Sequence, residues 1–158
     1  MHAIEAGTQF VTMGVDREVF AVEVDAVQEI LDAREIARLP NAPDFLLGLI
    51  DVRGHSVPVL DLRLKLGLPA ATVTENTRIV VLDVECGGRR LLLGLLADRV
   101  FEVTGLDQDA VEPPPEIGTR WRSEYIRGIG RRGSDFVIVF DLARLLTGEE
   151  AALLRKAA

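Results

Sequence analysis

A chain of 158 residues, 48% hydrophobic and 27% charged, can bury roughly 70% of its unfolded surface as one domain or two very small ones, which excludes a disordered, collagenous or low-complexity protein. Eighteen Lys and Arg against twenty-five Asp and Glu leave a net charge of −7, so a whole-molecule grip on nucleic acid or anionic lipid is not expected. One cysteine, Cys86, and two histidines, His2 and His55, offer no disulfide and no ligand cluster at metal spacing, so neither a metal nor a cofactor is expected.

The N-terminal residues 1–5 lack a basic flank followed by a long apolar stretch, so no secretory signal is read there. Residues 9–15 form the first β-type run, followed by a segment, residues 24–30, that mixes apolar and acidic side chains. A run at 57–60 contains Pro58, which cannot donate to a ladder and is expected at an edge or a bulge. Asp61 precedes Leu62 at a strand-to-helix junction, where its carboxylate can cap a short helix over 62–66. A polar stretch at 70–77 reads as a boundary. Beyond it, residues 78–84 form another β-type run and Cys86-Gly87-Gly88 a hairpin turn. The apolar run 91–97 stops at Asp98, well short of a membrane span, and no membrane insertion is expected. Asp141 and residues 142–146 repeat the Asp61 junction, and a final helix is expected over 147–158, with Glu149 and Glu150 in its first turn and Arg155 and Lys156 in its last.

The chain is written twice. At an offset of eighty residues Phe45 lies over Tyr125, Leu46 over Ile126, Gly48 over Gly128, Val57 over Val137, Val59 over Val139 and Asp61 over Asp141. Arg53-Gly54 and Arg132-Gly133 occupy the centre of each copy, displaced by one residue. At an offset of seventy-three, Val22 lies over Leu95, Asp25 over Asp98, Val27 over Val100, Glu29 over Glu102 and Ile30 over Val103. Two units of about seventy residues, rich in short β-branched runs, predict a mainly β protein with about five strands per unit, each able to curl into a barrel and so remove its edges.

Little chemistry is visible. Ser56, Ser123 and Ser134 sit in no nucleophile-elbow pattern, and the glycines form no phosphate cradle. Asp61 and Asp141 are read as caps rather than as an acid–base pair, and no enzyme is expected. Arg120, Arg122, Arg127, Arg131 and Arg132, interleaved with Trp121 and Tyr125, form the one basic concentration. Taken alone this is a single-stranded nucleic-acid patch; the net charge favours a solvated edge or a protein-contact surface. A two-unit architecture can leave an aliphatic cleft for a helix or a sheet edge. For Val27, Ile30, Val100 and Val103 the sequence leaves core packing and interface both open.

The residues Leu39-Pro40-Asn41-Ala42-Pro43, and then residues 48–62 with the Arg53-Gly54 turn and the run Pro58-Val59-Leu60-Asp61-Leu62, resemble the CheW family of chemotaxis coupling proteins. The likeness extends through residues 27–30 and 77–81 to Asp141-Leu142 and covers about residues 9–146. It implies two five-stranded SH3-like β-barrels in one CheW-like domain; the residues themselves place the subdomain boundary near 70–77 and a C-terminal helix over 147–158. It also implies a cytoplasmic, non-catalytic adaptor that couples the tips of chemoreceptors, the methyl-accepting chemotaxis proteins, to the regulatory domain of the histidine kinase CheA. Carried over by position, the resemblance implies a receptor-binding groove including Val27, Ile30, Val100 and Val103, and kinase- and receptor-coupling roles for Glu29 and Arg53. Arg53 is equally a candidate for bracing its own turn. Asp51 departs from the asparagine common at its position, and Arg131 and Arg132 make the second turn more basic than the motif requires. The competing expectation is the single-stranded nucleic-acid module.

Overall fold

The computed structural model describes residues 2–70, 72–86, 88–113 and 125–157. Twelve strands are arranged in chain order as β1 (His2–Ala3), β2 (Phe10–Val15), β3 (Glu18–Glu23), β4 (Val27–Asp32), β5 (Leu46–Val52), β6 (His55–Asp61), β7 (Arg78–Cys86), β8 (Arg89–Ala97), β9 (Arg99–Thr104), β10 (Ala110–Val111), β11 (Ile126–Arg132) and β12 (Asp135–Phe140). A one-turn helix α1 (Leu62–Lys65) follows β6, and the helix α2 (Gly148–Ala157) closes the described chain. The expected mainly β architecture is therefore present as two five-stranded sheets, ordered β11-β12-β3-β2-β9 and β4-β7-β8-β6-β5, with β1 and β10 forming a small additional pair.

The two sheets are copies of one design, and the repeat offsets hold at the level of register. Leu46 faces Leu60, and a bulge then places Gly48 opposite Val59; Ile126 faces Phe140, and the same bulge places Gly128 opposite Val139. The parallel contacts match too, Val59 with Gly94 and Val139 with Ala21. The one-residue displacement of the Arg-Gly pairs is a change of turn, not of hairpin length. Arg53 (φ 53°) and Gly54 (φ 85°) give the first turn left-handed backbone at both central positions, as a type I′ turn requires. In the second hairpin only the first central residue, Gly133 (φ 62°), is left-handed.

The sheets do not divide the chain at 70–77. The first sheet takes β2 and β3 from the first repeat and β9, β11 and β12 from the second; the other takes β4, β5 and β6 from the first and β7 and β8 from the second. The stretch at 70–77 separates the sequence repeats, whereas each repeat contributes its first hairpin to one sheet and its last three strands to the other. Residues 27–97 thus hold one complete sheet, inserted between β3 and β9 of the other.

Among the described residues, each sheet closes on itself through a single bridge. Ala37, beyond β4, exchanges two backbone hydrogen bonds with Leu49 on β5 (2.9 and 2.8 Å), and Glu112 does the same with Ile129 on β11 (2.8 and 2.8 Å). These bridges explain the repeated glycines: a Cβ on Gly48 would lie 2.0 Å from the Ala37 carbonyl oxygen, and one on Gly128 would lie 2.6 Å from that of Glu112. Closure demands backbone approach that any side chain blocks.

The strand alternation fills three cores. Phe10, Ala21, Val137 and Val139 fill the first barrel, and Ile50, Val57, Val59, Ile79 and Val81 the second. The opposite faces, including Val11, Met13, Phe20, Leu60, Leu82, Leu93 and Leu95, form the largest cluster, shared by both barrels and joined by Ala151 and Leu154 of α2. Each fully buried side chain of this size contributes roughly 1.5–3 kcal/mol.

Two local expectations are corrected. Pro58 lies neither on an edge strand nor at the bulge: β6 stands between β8 and β5, with Pro58 opposite Leu49, and the parallel pairing to β8 begins one residue later, at Val59. Where Ile138 replaces the proline, the equivalent pairing runs from Val137 through Val139. Asp61 caps α1 as expected, accepting the Arg63 N–H at 3.0 Å. Asp141 makes no such cap, and the chain there forms a 3-10 turn over Leu142–Arg144, with an Arg144–Asp141 ion pair at 3.6 Å.

Candidate protein-interaction surface

The edge strands β4 and β9 are equivalent in the repeat and carry the aliphatic candidates. Both ladders accommodate one extra residue: Val27 and Glu29 face the adjacent Leu82 and Val81, and Val100 and Val103 face Met13 and Val11. This irregularity turns successive side chains differently from a regular strand. Val27 and Val100 are partly buried against the shared core, whereas Ile30 and Val103 are 42% and 54% exposed. The four candidates therefore separate into two inward-leaning and two outward-facing residues, the same way in each barrel.

Glu29 and Arg53 are brought together. Arg53 donates from Nε and Nη2 to the two carboxylate oxygens of Glu29 at 3.3 and 3.2 Å, joining the turn between β5 and β6 to β4, which stands at the other end of the same sheet. Arg53 nevertheless keeps an 80% exposed side chain, so it braces the barrel mouth and faces solvent at once. Its left-handed backbone costs about 1–2 kcal/mol relative to glycine. Asp51 lies exposed on β5 opposite Ser56.

The repeat supplies a counterpart that the sequence reading did not pair: Arg132 lies 3.8 Å from Glu102. Glu102 stands at its repeat offset and Arg132 one residue short of its own, and only the fold shows their joint placement. Next to them Phe101 and Phe136 are 51% and 58% exposed, with the Arg131 guanidinium 4.6 Å from the centre of the Phe136 ring.

Among the described residues, the basic concentration forms no stacking platform. Tyr125 is buried, Arg127 pairs with Glu23, and Arg131 and Arg132 hold the partners just named. Arg120, Trp121 and Arg122 lie outside the described residues. Asp61 is buried and serves as a cap. Among the described residues, no helix is long and apolar enough to cross a membrane.

The described chain is thus two closed five-stranded barrels on a common core, with exposed aliphatic residues on β4 and β9 and an Arg–Glu pair at a hairpin turn of each barrel. The chain belongs to the CheW-like family of chemotaxis coupling adaptors: the CheW-like domain model matches residues 9–150. It is 33% identical to the chemotaxis protein CheW of Klebsiella aerogenes over 148 residues, covering 94% of this chain and 87% of that protein. It is 29% identical to the CheW of Treponema pallidum, covering 90% and 84%. The fold superposes on the scaffolding protein TtCheW of Thermoanaerobacter tengcongensis with a TM-score of 0.80 at 26% identity, covering 96% of this chain and 99% of that one.

Proposed function

We propose that the chain is a cytoplasmic adaptor without catalytic activity that joins chemoreceptor cytoplasmic tips to the regulatory domain of a CheA-type histidine kinase. The observation that carries the receptor half of this reading is the exposure of Ile30 and Val103 at equivalent places on the two outer strands. A helical hairpin presenting aliphatic side chains would bury them, and helix-in-groove recognition uses such anchors. Val27 and Val100 would form the floor beneath. The Glu29–Arg53 bridge sits on the hairpin end of the second barrel, where an exposed arginine held in one orientation can offer its remaining donors to a partner.

The test is calorimetric titration of the purified protein with a kinase regulatory domain and, separately, with a receptor cytoplasmic hairpin from the same organism. Saturable binding to both is expected. Ile30→Arg and Val103→Arg should weaken the receptor titration and leave the kinase titration intact. Equal loss of both, or no binding by the parent protein, would overturn the reading.

A further inference from the structure

The helix α1 carries two cations, and both reach across to the other barrel. Arg63 donates from Nη1 to Asp98 at 2.9 Å and lies 3.7 Å from Asp16. Asp98 is itself tied to the first barrel, its N–H bonding to Gly14 and its Oδ2 accepting the Asp16 N–H. Lys65, whose side chain is only 5% exposed, donates to both carboxylate oxygens of Glu150 on α2 at 2.6 and 2.7 Å. Its ammonium also lies 4.4 Å from the centre of the Phe45 ring and 5.2 Å from that of Tyr125.

Phe45 and Tyr125 are repeat equivalents. Each stands just before the hairpin of its own barrel, and their carbonyls accept from Asp61 and Asp141, again equivalents. One buried cation therefore sits between matching aromatics of the two barrels and binds the terminal helix as well. The molecule contains its own control for what this position needs to be stable. In the other repeat the residues equivalent to Arg63 and Lys65 are Ala143 and Leu145, and Leu145 is fully buried. An apolar residue fills that place without any ion pair, and a buried ion pair is in general no more stabilising than well-packed apolar residues. A directional pair can add a fixed geometry.

We propose that α1 is a two-cation clasp that sets the orientation of the two barrels, Arg63 locking it to the first barrel and Lys65 locking both barrels to α2. The inference goes beyond the adaptor reading and does not depend on it. The orientation it fixes is the one that relates β4 to β9, and so any partner spanning both barrels meets a preset spacing.

The test uses the full chain with Cys86→Ala and cysteines introduced at Asp51 on the second barrel and Ser134 on the first, both exposed, carrying nitroxide labels. Electron–electron double resonance on the parent should give one narrow distance distribution. Lys65→Met, Glu150→Gln and Arg63→Ala should each broaden it or add a second maximum at temperatures where the protein stays folded by circular dichroism. Lys65→Arg, which keeps a cation between the rings, should restore the narrow form. Where Lys65→Met unfolds the protein, Glu150→Gln gives the same comparison with the carboxylate alone removed. Distributions as narrow as the parent's in the folded variants would overturn the clasp and assign the orientation to the shared apolar core.

Discussion

The two repeats share strand order, bulges, closing bridge and an Arg–Glu pair at the barrel mouth, yet they part company immediately after their last strands. In the first, a capped helical turn presents Arg63 and Lys65; in the second, an uncapped 3-10 turn presents Ala143 and Leu145. The shared features are those that any closed five-stranded barrel needs. The divergent turn is where two like barrels become one asymmetric object, because a single cationic site occupies the space between a matched pair of aromatics.

The largest expected effect breaks the comparison itself. If the halves of the chain exchange strands as described, a protein cut between Val73 and Thr74 and separated into fragments should give neither fragment a cooperative thermal transition, and mixing them should restore one. Independent folding of either half would contradict the exchange. Next come the closing glycines. Gly48→Ala should destabilise by about 3 kcal/mol and Gly128→Ala by less, ~2 kcal/mol, in urea denaturation, following the order of clash at 2.0 and 2.6 Å. Equal small losses would show that the bridges open freely.

A pH series sharpens the asymmetry. Burial pushes the Glu150 carboxyl up, but hydrogen bonds from Lys65 and Thr147, with the charge of Lys65, bring it below its ordinary value. A depressed folded-state pKa stabilises fully above the unfolded value of about 4.3 and ceases to do so as pH falls through the lower folded value. Stability should therefore fall more steeply in acid for the parent than for Glu150→Gln, read from melting temperatures between about pH 5 and pH 3. Parallel profiles would sink the assignment. The smallest effects compare neighbours on β4: Val27→Arg should lower stability by roughly 1–3 kcal/mol through its contact with the shared core, whereas Ile30→Arg should stay within about 0.5 kcal/mol.

Much of this was legible in the residues. The offsets of eighty and seventy-three carry through to register because matching side chains must face the same core, and Asp61 is a readable cap because its partner is two residues away. Strand partnership is different. An alternating pattern says which face of a strand is buried but not which hairpin lies beside it, so the exchange at β3 and β8 left no periodic signal. For the same reason Glu29 and Arg53 could be singled out while their mutual bridge could not, and Val27 could not be told from Ile30 until the bulge fixed their directions. The Lys65 site joins residues 45, 65, 125 and 150, and only the folded chain brings them together. The terminal helix, Gly148–Ala157, has Glu149 and Glu150 in its first turn, and Thr147, which accepts the Glu150 N–H at 3.1 Å while Glu150 accepts that of Thr147 at 2.8 Å, closes a capping box whose spacing the sequence also carries.

The insertion of one barrel within the other also orders events during synthesis. All five strands of the second barrel are made once the ribosome has passed Ala97 and its exit tunnel has cleared, so β4 to β8 can pair while the rest of the chain, including its share of the common core, is still being translated. The β2–β3 hairpin, made before that barrel, must wait for β9, β11 and β12, made after it. A nascent chain thus carries an unsatisfied hairpin until β9, β11 and β12 have emerged.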